Sequence, residues 1–152
     1  MSEEIFGAVQ KLPVNGTKKQ VVLQCAPLLT GIKLSNLLNV RSDQKKEVLR
    51  IFEGSPVCCR VLYEFQGRLS ILLYRPGMLA AYLEREDVKK LMTSFGYENP
   101  DLEETLNRIA DAYQDHMNGK RGFPHEIGLV LGYPPVDVEG FIEKEGRDFL
   151  YS

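Results

Sequence analysis

The chain has no tryptophan and two histidines, and its three cysteines, Cys25, Cys58 and Cys59, show no CxxC spacing. An odd, unspaced set of thiols encodes neither a disulfide framework nor a zinc knuckle, so reduced thiols and no metal site are expected. A surplus of charge is missing as well: 19 Lys and Arg stand against 21 Asp and Glu, a net charge of −2. Attraction to nucleic-acid phosphates or anionic lipid needs an excess of basic residues, so neither partner is expected. Long apolar runs are also absent, since those near Val21–Ile32 and Ile71–Tyr74 are broken by Gln24, Pro27 and Arg75, short of the roughly 20 residues of a membrane-spanning helix. At the start, Glu3 and Glu4 stand where a secretory leader carries positive charge. These features together lead us to expect a cytoplasmic protein.

What is present suits a folded domain. With 43% apolar and 26% charged residues over 152 positions, the composition is not that of a disordered chain, and a single domain over 1–152 is expected. The stretch SEEIFGAVQKL reads as a short helix broken by Pro13 and an Asn15-Gly16 turn. VVLQCAPLL is β-branched at its start and reads as a strand ending at Pro27. From Ser42, SDQKKEVLRIFEG has an N-cap candidate, apolar Val48, Leu49, Ile51 and Phe52, and Gly54 as its stop. VCCRVLYEF and LSILLYR flank Gln66-Gly67-Arg68 as a β-hairpin.

The rest reads as helix. Pro76 opens a region in which Met78, Leu79, Tyr82 and Leu83 form one stripe and Val88, Leu91, Met92 and Phe95 another, with a break at Glu84–Asp87 and a stop at Gly96. After Asn99 as cap and Pro100 in the first turn, Leu102, Leu106, Ile109, Tyr113 and Met117 recur at helical spacing up to Gly119, leaving Glu104, Arg108 and Asp115 on the wet face. Pro124 and Pro135 each start a further short helix, stopped at Gly132 and Gly146. The fold class is therefore α+β: mainly helical, with a small antiparallel sheet of about three strands and a C-terminal helix pair.

Three familiar chemistries fail on spacing or charge. The final helix pair resembles a DNA-reading helix-turn-helix, but its second helix carries Asp137, Glu139, Glu143 and Glu145 against Lys144 and would meet phosphates with the wrong sign. His125-Glu126 starts like a zinc-protease HExxH, yet the second histidine position is Leu129. Around Gly119-Lys120 a phosphate loop would need glycine at position 114 and Ser or Thr at 121, which are Gln114 and Arg121.

A smaller set of reactive groups remains. Cys25, at the expected strand end, is a candidate nucleophile or soft ligand. His125, at a helix start whose dipole disfavours imidazolium, is a candidate neutral base or ligand. Lys33 and Arg75 would anchor an anionic group, and Tyr74 and Glu126 lie beside them in the expected ligand-binding set. Each has a plain structural account too: Glu126 stabilising a helix start, Cys25 packed in a core, Tyr74-Arg75 on a solvated rim. Cys58 and Cys59, adjacent in a strand, point to opposite faces and are expected to pack rather than share a metal.

The segments FPHEIGLVLGYPPVDVEGFI at 123–142, CAPLLTGIKLSNLLNV at 25–40 and LLYR at 72–75 resemble a family of small bacterial proteins known as a domain of unknown function. The resemblance covers most of the chain and implies no reaction, cofactor or catalytic residue. Members continue past the equivalent of Gly146 into a tryptophan-containing strand and a final helix, whereas this sequence reads FLYS at its end; a short member, or a truncated one with an uncovered apolar surface, is the expectation. The functional expectation is small-ligand or cofactor binding near the sheet edge and the C-terminal helix pair, with Cys25 and His125 converging. The alternative is a noncatalytic module offering the acidic helix Val136–Glu145 and Phe149-Leu150-Tyr151 to a protein partner.

Overall fold

Val21, Cys25 and Leu28 recur at intervals of four and three residues, and all three are buried along one side of a helix, α1, Thr17–Leu29. This corrects the strand expected here. The β-branched Val21-Val22 pair is a weak preference that helical spacing of the buried residues overrides. Pro27 lies inside the helix near its end, where few further backbone bonds are lost to it. The turn beyond is closed by the Thr30 hydroxyl, which donates to the Ala26 and Pro27 carbonyls at 3.1 Å each.

The computed structural model describes residues 16–98, 100–140 and 142–143. The expected first helix, Asn99, and the segment holding Glu145, Gly146 and Phe149-Leu150-Tyr151 lie outside the described residues. The chain is α+β and groups into two compact units, residues 1–76 and 77–152.

In the first unit α1 is followed by β1, Ser35–Arg41, a 3-10 turn over Ser42–Gln44, α2, Lys45–Phe52, and the hairpin of β2, Cys58–Phe65, and β3, Arg68–Tyr74. The sheet order is β1-β3-β2, antiparallel throughout, with Leu38 opposite Ile71 and Val61 opposite Ile71. The hairpin was legible in Gln66-Gly67: their φ values of +50° and +76° give the left-handed pair that a tight hairpin turn requires. The three expected strands are matched in number, but β1 replaces the segment around Val21. Its asparagines, Asn36 and Asn39, weaken the strand signal, while Leu38 and Val40 supply the buried side. Val21, Cys25 and Leu28 of α1, Val48 and Phe52 of α2, and Leu38, Val40, Leu69, Ile71 and Leu73 of the sheet form one dry cluster. Each large member contributes about 1.5–3 kcal/mol by leaving water.

The second unit is helical. Here α3, Pro76–Leu83, and α4, Glu86–Ser94, flank the expected break, and Gly96 at φ +94° ends the pair. Then α5, Leu102–Met117, buries Leu106, Ile109 and Tyr113 as its spacing required, while Met117 at the end of that stripe is 48% exposed. Its cap is Asp101, whose Oδ1 accepts from the Glu104 N–H at 2.7 Å, rather than the Asn99-Pro100 pair; an aspartate three residues before an N–H in the first turn is the better placed acceptor. The short α6, Glu126–Val130, starts two residues after Pro124. Residues 135–140 are helical again. The two pack closely: a Cβ on Gly128 would lie 3.1 Å from Val138 Cγ2, so only glycine fits without displacing that side chain.

Candidate functional site

The sequence candidates divide between the units: Cys25, Lys33, Tyr74 and Arg75 belong to the first, His125 and Glu126 to the second. Cys25 is not at a strand end facing a cleft. It is 0% exposed in the helical core, with Asn36 Nδ2 donating to its sulfur at 3.2 Å. Burial pushes its pKa up, against the hydrogen bond from Asn36 and the charge of Lys33, so the thiol is held protonated at neutral pH rather than activated. Cys58 is exposed and Cys59 half-buried, which corrects the expectation that both pack inside the hairpin. Burial, with the neighbouring thiols, raises Cys59 to about 11.

Arg75 is engaged in the fold. Its Nε donates to the Leu28 carbonyl at 3.0 Å and its Nη2 to the Leu29 carbonyl at 2.9 Å, which closes the end of α1 where orphan carbonyls collect. Lys33 is exposed and Tyr74 is buried at the end of β3. A wide, shallow groove in this unit is bordered by Lys46, Arg50, Cys58, Cys59 and Tyr74; among the described residues of this unit the buried side-chain polar atom without a hydrogen bond, Ser42 Oγ, is not part of its lining.

The second unit holds a more defined cleft. Phe95 and Tyr97 after α4, Arg108, Asp111 and Asp115 on one side of α5, and Arg121, Phe123, His125 and Glu126 before and at the start of α6 surround about 430 Å³. Glu126 is 4% exposed. Its carboxylate engages Tyr97, whose hydroxyl is pushed well above the ordinary tyrosine range first by burial, then by the charge of Glu126 and a side-chain hydrogen bond with it, against Arg108 and Arg121. Yet Glu126 Oε1 has no hydrogen-bond partner. Its nearest cation is Arg121 Nη2 at 3.7 Å, outside hydrogen-bonding range. Arg108 is spent on the scaffold, with Nη1 donating to the Gly96 carbonyl at 2.9 Å and its guanidinium 4.0 Å from the centre of the Tyr97 ring.

His125 borders this cleft through a ladder of rings. Phe123 stands edge-on to His125 at 5.7 Å and to His116 at 5.5 Å, and His116 Nδ1 lies 3.3 Å from the Arg121 carbonyl. Of the sequence candidates, then, His125 and Glu126 meet in one place. Tyr97, Arg108, Asp111, Asp115 and Arg121 were missed as their partners. The spacing of Arg108, Asp111 and Asp115 along one helical face was visible, but nothing linear linked that face to Tyr97 or to the loop at Arg121. Among the described residues no group of three His, Cys, Asp or Glu side chains is arranged to hold a metal ion.

The architecture defines an α+β chain in which no described helix is long and apolar enough to cross a membrane. The chain belongs to DUF3793, a family of proteins of unknown function, whose profile matches residues 21–152. Neither the curated proteins nor the solved structures give a match.

Proposed function

We propose that this protein binds a small organic ligand in the cleft of its second unit, against Glu126. One observation carries the reading: Glu126 lines a 430 Å³ cleft, and its Oε1, closed off from water with Arg121 Nη2 at 3.7 Å, has no hydrogen-bond partner among the described residues. A buried acceptor left unpaired costs about 1–3 kcal/mol, and more when charged. Such a defect at a concave, partly aromatic surface is what a ligand-binding site contributes before its ligand arrives. The volume falls in the range of small-molecule clefts, roughly 300–1,000 Å³. Three cysteines without a disulfide partner support a reducing, cytoplasmic location for this activity.

A protein-observed NMR screen of the whole chain against a mixed fragment library tests the reading. Hits should perturb the resonances of Tyr97, Arg121 and Glu126 and should lose at least tenfold in affinity in Glu126→Gln. A library with no hit at these residues would overturn it. The second reading, a protein-interaction module, is favoured by Val136, which is 76% exposed beside Asp137 and Glu139 in the helical stretch 135–140.

A further inference from the structure

We infer that the ligand of this cleft is an organic cation with N–H donors, a primary amine or a guanidine, bound head-first to Glu126. The inference rests on the ligand-binding reading and adds the chemical class. Its first support is the hydrogen bonding of Glu126: Oε1, closed off from water and with Arg121 Nη2 beyond bonding range at 3.7 Å, is an acceptor, so the group that completes it must donate once Arg121 moves aside. Its second is charge. Arg108 and Arg121 face Asp111, Asp115 and Glu126, so the lining carries one more carboxylate than guanidinium, and among the described residues neither Asp111 nor Asp115 makes an ion pair.

An anionic ligand has little to hold here. Arg108 is already bound to the Gly96 carbonyl and the Tyr97 face, and Arg121 points at Glu126. A neutral donor would complete Oε1 and leave the excess negative charge unanswered. A bare metal ion lacks a set of three ligating side chains among the described residues. An ammonium or guanidinium answers both needs, because a charge-assisted N–H bond to a buried carboxylate is about twice as strong as a neutral one. Phe95 and Phe123 add aromatic surface on which a cation is favourably placed. In this arrangement Arg121, 3.7 Å from Oε1 and with its side chain 43% exposed, is a competitor: it partly neutralises Glu126 and swings toward solvent when the ligand's own cation arrives.

That last point makes the inference separable from a structural role for the pair. The whole chain is titrated at pH 7 and low salt, by NMR or calorimetry, with methylguanidine and 1,4-diaminobutane as N–H cations, tetramethylammonium as a cation without N–H, acetamide as a neutral donor and inorganic phosphate as an anion. At least one N–H cation should perturb Tyr97 and Glu126 and bind tenfold or more tightly than the other three probes. Glu126→Gln should abolish the preference, with circular dichroism showing the variant folded, and Arg121→Gln should tighten cation binding threefold or more. Equal binding of tetramethylammonium overturns the N–H requirement, and weaker cation binding in Arg121→Gln overturns the competitor role. If acetamide or phosphate occupies the cleft and the amines do not, the class is wrong while the cleft remains a binding site. If none of the five perturbs it, the cation inference is overturned, and the fragment screen decides the cleft itself.

Discussion

The two units treat their polar groups differently. In the first, a guanidinium from the end of the sheet is spent on the last carbonyls of α1, an asparagine amide is spent on a buried thiol, and among the described residues the buried side-chain atom left without a hydrogen bond is a hydroxyl, Ser42 Oγ. In the second, among the described residues, it is a carboxylate oxygen, closed off from water on a residue that lines the cleft. An unpaired hydroxyl is a modest loss that packing can absorb. A carboxylate oxygen without a hydrogen bond at the same depth of protein is costlier by several-fold, which is the cost the proposed ligand would relieve.

The largest effect should come from testing whether the second unit owns a true core. Ile109 is 1% exposed on the inner side of α5, and Ile109→Asp places an unpaired charge there, at a cost of about 4 kcal/mol or more. Loss of the cooperative thermal transition is the expected result. An unchanged midpoint would mean that α5 does not pack as described.

Next in size is the ranking of the thiols. Alkylation at pH 8, followed site by site by mass spectrometry, should modify exposed Cys58 first. Cys59, at about 11, is then ionised in about one molecule in a thousand. Cys25 must wait for the core to open. Raising the pH through 11 should accelerate Cys59, because a raised pKa keeps the thiol protonated up to that value and releases the reactive thiolate above it. Rapid labelling of Cys25 in the folded protein would break the claim that the first unit is closed.

Arg75→Ala sharpens the comparison from the structural side. It removes two hydrogen bonds at the end of α1 and should cost about 2 kcal/mol in a denaturant titration, with Arg75→Lys recovering only part of it because an ammonium lacks the two-pronged geometry. The smallest effect belongs to Glu126→Gln. Its one nearby cation is partly exposed and can be solvated, so the amide should leave stability within about 1 kcal/mol of the native value, on the stabilising side. Should Glu126→Gln destabilise more than Arg75→Ala, the assignment of these two residues to function and fold is reversed.

Much of the fold was legible because its signals are local. The Gln66-Gly67 turn, the stripe of Leu106, Ile109 and Tyr113, and the glycine stop at Gly96 each follow from a few neighbouring residues. The failures came where local preference and burial disagree. Val21-Val22 reads as strand while Val21, Cys25 and Leu28 pack as helix, and the asparagines of β1 hide a strand that the sheet's pairing imposes. At the site, His125-Glu126 stood out as a pair, but the depth of Glu126 and the approach of Tyr97 and Arg121 depend on how the helices of the second unit pack. The partners of Arg75 were hidden for the same reason: its acceptors lie 46 and 47 positions away in sequence.

The order β1-β3-β2 also dictates a sequence of events during synthesis. The strand that pairs with both others is the last of the three to leave the ribosome, so neither β1 nor β2 has a hydrogen-bonded neighbour until Tyr74 has emerged. Until then α1, β1, α2 and β2 can cover one another only in part, and the apolar faces that Leu69, Ile71 and Leu73 will cover stay in solvent, at elongation rates of about 5–20 residues per second. The hairpin turn then closes within about 1–10 μs, and β3 recruits β1 from across the whole of α2. A nascent chain halted before Leu69 should therefore be a chaperone client, and one extended beyond the first unit should not.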